Sequence, residues 1–214
     1  MIRLATGAEL RRTGSGERGA VVCVNGGRAR EVEGTWSATV EWLVRRLAPV
    51  FPELVFAEVR YRIRSWKRLD WCIEDARAAL DHVSCPRTLL LGFSMGGAVA
   101  VATADEPSVE GVLGLAPWLP DGLDLTPVAR KELVVLHGAL DTWLPGVPGV
   151  SPQHSRRGLE RARALGADGR YVLVAGGVHG VALRAPWGGL VPLPRAGRWT
   201  SLVASELGRF AGRA

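Results

Sequence analysis

An apolar run that ends in a glycine-flanked serine constrains the fold of this chain more than any other feature. Residues 88–91 read Thr-Leu-Leu-Leu, and Gly92-Phe93-Ser94-Met95-Gly96 follows directly. Where a strand turns sharply into a helix at such a pentapeptide, the serine hydroxyl projects above the sheet, and flanking glycines remove side chains that would collide. The small residues 97–102 predict a buried helix after the turn. The spacing therefore predicts a nucleophile elbow with Ser94 at its apex, and an ordinary glycine-rich loop is the weaker alternative.

Strand-like and helix-like segments alternate along the whole chain. Residues 2–6 and 9–13 predict a hairpin, and further apolar runs of strand length occupy 20–24, 54–59, 89–92, 109–116, 133–136 and 171–174. Helical spacing of apolar residues predicts helices over 36–47 with Thr35 as N-cap, 69–83, 152–165 and 199–210, and connections rich in proline and glycine occupy 117–127, 143–152 and 184–197. This alternation predicts an α/β fold, a mostly parallel central sheet with helices on both faces, in one domain over residues 1–214.

Composition and charge exclude several classes of protein. The 214 residues carry a formal net charge of +6, almost all of the positive charge coming from arginines spread along the chain. No nucleic-acid-recognition, dinucleotide or metal-ligand spacing accompanies them, so no nucleic-acid partner, no cofactor and no metal are expected. Three cysteines argue against a disulfide framework. Because there is no secretory leader and no apolar run of about 20 residues, we expect a cytoplasmic protein without a membrane partner.

Two later loops carry an acid and an imidazole. Asp141 closes the loop after the strand at 133–136, and His179 lies in a glycine-rich loop after the strand at 171–174. Both loops belong to the carboxyl edge of the sheet, where ligands of open α/β sheets bind. A carboxylate there can accept the Nδ1–H of a histidine and fix its tautomer. The alternatives are that Asp141 caps the next turn and that His179 is a loop histidine without a catalytic role.

The other three histidines fit a catalytic role less well. His82 lies inside a predicted helix, and His154 lies at an arginine-rich helix start. His137 precedes Asp141 in the same loop and is expected to order that loop by hydrogen bonding. His179 gives the chain order serine, acid, histidine that a fold with this elbow uses.

An oxyanion site requires two backbone N–H donors. The N–H of Met95, at the start of the helix after Ser94, is one candidate. The second lies in the loop Asn25-Gly26-Gly27 after an earlier strand, where we favour Gly27 with Arg28 as the neighbouring alternative. The same tripeptide is also a common tight turn, and both interpretations can hold together.

With these motifs the chain resembles the α/β-hydrolase superfamily, in its small, serine-nucleophile form. The resemblance spans essentially the whole length: the loop at 25–27, the elbow at 92–96, the acid loop at 137–141 and the base loop at 178–180. Asn25 stands where the superfamily usually has histidine. The connection between the strands at 109–116 and 133–136 is too short for a helical cap domain, so the resemblance implies an open site. Ser94 argues against the branches that use cysteine or aspartate as nucleophile.

Four side chains near these loops are candidates for substrate contact. Phe93, Trp118 and Trp143 would form apolar walls, although packing explains each of them as well. Arg28, together with Arg60, Arg62 and Arg64, follows strands at the same edge and would bind a carboxylate or phosphate, or be merely solvated.

Three functions are compatible with these motifs. The first is a serine hydrolase that cleaves a small-molecule carboxylic ester or thioester through an acyl-enzyme. The second is a biosynthetic thioesterase or acyltransferase that acts on an acyl group of CoA or a carrier protein. The third is a non-catalytic binding protein on the same fold. The substrate and the oligomeric state are not encoded in these motifs.

Overall fold

The structure is a computed structural model that describes residues 1–141 and 149–212. In chain order the elements are β1 (Ile2–Arg3), β2 (Glu9–Thr13), β3 (Gly19–Val24), α1 (Ala38–Leu47), β4 (Leu54–Arg60), a 3-10 turn (Trp66–Arg68), α2 (Leu69–Val83), β5 (Thr88–Phe93), α3 (Met95–Ala102), β6 (Val109–Leu115), a 3-10 turn (Thr126–Val128), β7 (Glu132–Gly138), α4 (Pro152–Ala164), β8 (Asp168–Val174), β9 (Ala182–Arg184), β10 (Leu190–Pro192) and α5 (Ala196–Ala211).

Eight strands form one sheet in the order β1-β2-β4-β3-β5-β6-β7-β8. β3 pairs in parallel with β4 and β5, and the pairs from β5 to β8 are parallel as well. β2 joins β1 and β4 in antiparallel register at one edge. The predicted mostly parallel sheet is confirmed, and its near-continuous apolar strands follow from burial on both faces.

Side chains of successive strand residues point to opposite faces and enter two separate cores. In β5, Leu90 joins the core formed with α2, α3 and α4, whereas Leu89 and Leu91 join the core formed with α1 and α5. The predicted helices on both faces are therefore present. The strand carrying the serine motif lies at the centre of the molecule.

The long connections differ in content. Residues 116–131, all of them described, contain one 3-10 turn between β6 and β7 and no α-helix. Residues 184–197, predicted as a connection, instead contain β10, which pairs with β9, and the start of α5. The prediction failed because three-residue strands around a turn are too short to show a periodic pattern.

The N-cap of α1 is Ser37 rather than the predicted Thr35. The Ser37 hydroxyl accepts a hydrogen bond from the Val40 N–H at 3.3 Å. Thr35 lies in the preceding loop, where its carbonyl accepts a hydrogen bond from the Asn25 side-chain amide at 2.9 Å. A tertiary contact thus keeps Thr35 out of the helix.

The three cysteines are free thiols, of which Cys23 and Cys72 are buried and Cys85 is partly exposed. Burial raises the pKa of Cys72 to about 12, so this thiol stays protonated at neutral pH. No helix within residues 1–141 and 149–212 has both the length and the apolar composition needed to cross a membrane.

Replacing the cap of α1 tests its assignment. We expect Ser37→Ala to lower the free energy of unfolding by about 1 kcal/mol, because one N–H of the first helical turn loses its acceptor. Urea denaturation measures the change. Thr35→Ala is the matched control and should change stability by less than about 0.5 kcal/mol. A larger loss in Thr35→Ala than in Ser37→Ala would contradict the assignment.

Candidate active site

Ser94 occupies the turn between β5 and α3 with a backbone conformation that is rare for serine. Its φ of 56° and ψ of −120° lie outside the regions that non-glycine residues favour, at a cost of about 1–3 kcal/mol. Three backbone hydrogen bonds hold it there. Its N–H donates to Leu115 at 3.0 Å, and its carbonyl accepts from Gly97 at 2.9 Å and Trp118 at 2.8 Å.

The flanking glycines are required by contact. A Cβ atom on Gly92 would strike the carbonyl oxygen of Gly96, and one on Gly96 would strike the carbonyl oxygen of Val24. α3 therefore lies directly against the ends of β5 and β3, closer than any side chain permits. This close approach fixes the position of Ser94 relative to the neighbouring loops.

The structure brings Ser94, His179 and Asp141 into one hydrogen-bonded chain. The His179 Nε2 lies 3.1 Å from the Ser94 Oγ, and the His179 Nδ1 lies 2.7 Å from the Asp141 Oδ2. Asp141 is buried, and the His179 side chain is 14% exposed. Since the carboxylate oxygen only accepts, Nδ1 carries the proton and Nε2 is left to accept from the Ser94 hydroxyl.

The acid and base loops are joined by their own backbone. Leu140 donates its N–H to the Gly177 carbonyl at 2.8 Å, and Ala139 donates to Val174 at 2.9 Å. A Cβ on Gly138 would lie 2.5 Å from the Gly177 carbonyl oxygen. These contacts explain how residues 38 positions apart in the chain come within hydrogen-bond distance.

Asp141 has a second histidine partner, His137, which is fully buried. The His137 Nε2 lies 3.1 Å from the Asp141 Oδ2 and 2.8 Å from the carbonyl of Val150. Both neighbours are acceptors, so Nε2 is the protonated nitrogen. The His137 Nδ1 then accepts from the Ser155 hydroxyl at 2.7 Å. His137 contributes hydrogen bonds to the acid loop, as predicted, and it also ties this loop to the start of α4, which was not predicted.

These contacts keep Asp141 ionised. Burial by itself raises the pKa of a carboxyl group, but the hydrogen bonds from His137 and His179 outweigh it and hold the pKa of Asp141 below its ordinary value. The Val150 N–H adds a further hydrogen bond to Oδ1 at 3.2 Å. At neutral pH the site therefore holds a negative carboxylate behind a histidine that faces a serine hydroxyl.

The two predicted oxyanion donors are neighbours. Gly27 lies against the Met95 side chain, where an added Cβ would strike the sulfur. Neither the Gly27 N–H nor the Met95 N–H has an acceptor among the described residues. The N–H of Gly26, in contrast, donates to the Asn25 side chain at 2.6 Å. Asn25 thereby orders this loop through its side chain.

The four predicted substrate contacts have different surroundings. The Phe93 ring is half-buried, 5.1 Å from the His179 ring. Trp118 is half-buried and donates its backbone N–H to the Ser94 carbonyl. Arg28 is exposed and directly follows Gly27. Trp143 lies outside the described residues.

Sequence reasoning missed several residues that support the site. The buried Tyr61 hydroxyl donates to the Asn25 carbonyl at 3.3 Å, and Ser155 and Val150 complete the surroundings of His137 and Asp141. Each of these contacts joins segments without a shared local motif. A polar residue near an apolar segment is the sequence signal for Tyr61 and Ser155, and Val150, which acts through its backbone, has no such signal.

Comparison with known proteins identifies the fold. No protein-family model matches the sequence, and a search of curated proteins finds no significant match. Among solved structures, the chain is similar to a monoacylglycerol lipase from Paleococcus ferrophilus at 14% identity, with a TM-score of 0.68 over 95% of this chain and 99% of that one. It is similar to an esterase from Exiguobacterium antarcticum at 14% identity, with a TM-score of 0.69 over 96% and 97%.

A third similar structure is MGS-M1, an α/β-hydrolase enzyme from a Medee basin deep-sea metagenome library. It shares 19% identity, with a TM-score of 0.70 over 96% of this chain and 93% of that one. At these identities the similarity concerns the fold. The chain has the α/β-hydrolase fold over nearly its full length, which confirms the predicted fold class.

The His137 network can be tested through stability. We expect His137→Leu to lower the free energy of unfolding by about 1–3 kcal/mol, because buried partners of the imidazole lose their hydrogen bonds. His137→Gln is the matched variant, since its amide nitrogen reaches the position of Nε2 and should recover part of the loss. Urea denaturation of both variants at neutral pH measures the difference. Equal stability of wild type and His137→Leu would contradict the network.

Proposed function

We propose that the protein is a serine hydrolase that cleaves a carboxylic ester or thioester through an acyl-enzyme intermediate. The observation that carries this proposal is the hydrogen-bonded chain from the Ser94 hydroxyl through His179 to the ionised Asp141, located at the apex of a strained turn. A serine hydroxyl is a weak nucleophile until a base removes its proton, and this chain supplies a base oriented by a carboxylate. Similar structures include a lipase and an esterase, which agrees with an ester substrate.

In the first half-reaction the Ser94 Oγ attacks the carbonyl carbon while His179 Nε2 takes its proton. The bond from that carbon to the leaving oxygen or sulfur then breaks, and His179 returns the proton to the leaving group. In the second half-reaction water attacks the acyl-enzyme, with His179 again taking and returning the proton. The products are a carboxylic acid and an alcohol or thiol, and Ser94 is restored.

The backbone N–H groups of Met95 and Gly27 would stabilise the negative oxygen of each tetrahedral intermediate. Gly27 lies against the Met95 side chain, and both N–H groups lack an acceptor among the residues that the structure describes. The Met95 group also lies at the N-terminus of α3, where the helix dipole favours negative charge. A single such donor is worth about 3–4 kcal/mol in comparable enzymes. Asp141 would remain ionised throughout and stabilise the imidazolium form of His179.

Replacing Ser94 tests the proposal. We expect Ser94→Ala to lower kcat/KM on p-nitrophenyl acetate by about 10³-fold or more, because no nucleophile remains at the turn. His179→Ala should cause a similar loss. Stopped-assay or spectrophotometric kinetics on the purified variants measure the change.

Ser201→Ala is the matched control, because Ser201 is an exposed serine on α5, remote in sequence from the site, and its kinetics should equal those of the wild type. Circular dichroism verifies that every variant is folded. If folded Ser94→Ala retained the wild-type rate, the proposal would be wrong. Folded wild type that cleaved the ester no faster than the uncatalysed background would instead favour a non-catalytic binding protein.

A further inference from the structure

Two loops at the carboxyl edge of the sheet hold Arg28 and Arg64 on adjoining segments. The Trp66 N–H donates to the Arg28 carbonyl at 3.1 Å, and the Arg64 N–H donates to the Val32 carbonyl at 2.8 Å. Glu33 and Ile63 form an antiparallel bridge between the same loops. Arg28 directly follows Gly27, which touches Met95. The pair is therefore fixed to the loop that would bind the substrate carbonyl.

The neighbouring arginines are occupied by carboxylates. The ion pairs are Arg60 with Glu9 at 3.1 Å and Glu33 at 2.7 Å, Arg62 with Glu74 and with Asp75 at 3.5 Å, and Arg68 with Asp70 at 3.4 Å. Within residues 1–141 and 149–212, in contrast, neither Arg28 nor Arg64 has a carboxylate within ion-pair distance. Glu31, an exposed acid of the first loop, pairs with neither of them among those residues.

The unpaired state of Arg64 is energetically unfavourable. The residue is half-buried, and its Nε is buried without a hydrogen-bond partner in the described part of the chain. Burial and then the charge of Arg28 lower the pKa of Arg64. Buried guanidinium groups normally have an anionic partner, because an unpaired buried charge is costly. A negatively charged oxygen group between the two side chains would satisfy both of them, and the planar guanidinium suits such groups well.

We propose that Arg28 and Arg64 form a binding subsite for an anionic oxygen group, a carboxylate or a phosphate, carried by the substrate. The proposal rests on the proposed function and narrows its substrate class to esters or thioesters that bear a negative charge on the acyl or the leaving part. Arg60 and Arg62 are not part of this subsite, because their charges are paired with carboxylates of the protein.

A pair of esters that differ in one charge tests the subsite. The probes are p-nitrophenyl acetate, which is neutral, and mono-p-nitrophenyl succinate, which carries a carboxylate. We expect the wild type to prefer the anionic ester, and the preference, the ratio of the two kcat/KM values, to fall about tenfold in Arg28→Gln and in Arg64→Gln. Arg12→Gln removes one exposed charge from β2 and should keep the preference. If Arg28→Gln and Arg64→Gln kept the wild-type ratio of kcat/KM values, as Arg12→Gln should, the subsite would be overturned.

A binding measurement separates this proposal from the proposed function. Isothermal titration of Ser94→Ala with inorganic phosphate and with succinate should detect saturable binding of at least one anion, lost when Arg28→Gln is added. Arg28 is exposed, so this variant is expected to fold even if Arg64→Gln does not. Binding of only one anion identifies the group that the subsite takes.

Failure of the hydrolase proposal and failure of the subsite proposal would give different results. Anion binding in a protein that cleaves neither ester would overturn the hydrolase proposal and leave the subsite standing. Cleavage of both esters without preference, together with no anion binding, would overturn the subsite and leave the hydrolase proposal standing.

Discussion

The buried carboxylate of Asp141 is the interaction on which the arrangement of the site depends. A charge taken out of water is costly unless hydrogen-bond donors surround it. Here the donors come from three parts of the chain: His137 at the end of β7, His179 after β8 and the backbone of Val150 before α4. Satisfying this one charge thus fixes two loops and the start of a helix, and orients the imidazole that faces Ser94.

A second constraint fixes the serine, on the other side of the contact between Ser94 and His179. The glycine contacts between β5, α3 and β3 leave Ser94 only one position, and its strained φ shows that this position is imposed by the surroundings. The serine is therefore held by close glycine packing and backbone hydrogen bonds, whereas the histidine is held by its hydrogen bond to a carboxylate. The 3.1 Å contact between them is the point where these two independent constraints meet.

Local patterns in the sequence predicted much of this architecture, because strand and helix periodicity and the elbow motif are properties of short segments. The helix Leu69–Val83 has its predicted bounds, and most strands differ from prediction only at their ends. The cap at Ser37 was missed because a contact with Asn25 holds Thr35 in the preceding loop. The pairing of β9 with β10 was missed because three-residue strands are too short to show a periodic pattern. The grouping of Ser94, Asp141 and His179 followed from chain order, but the Ser155 and Tyr61 contacts have no local signal.

The arginines show the same limit of prediction from local sequence. In the sequence, Arg28, Arg60, Arg62 and Arg64 are equivalent basic residues after strands. Only the positions of acids on other elements distinguish them, because Glu9, Glu74 and Asp75 engage two of the four. Which charges serve the fold and which remain available to a ligand is therefore a property of tertiary structure.

Covalent labelling is the sharpest test of whether Ser94 is an activated nucleophile. Folded protein would be treated with a fluorophosphonate probe, digested and analysed by peptide mass spectrometry. We expect one adduct, on the Ser94 hydroxyl, which disappears in His179→Ala and in protein unfolded before labelling. An unlabelled folded protein, or an adduct on a different residue, would show that Ser94 is not an activated nucleophile.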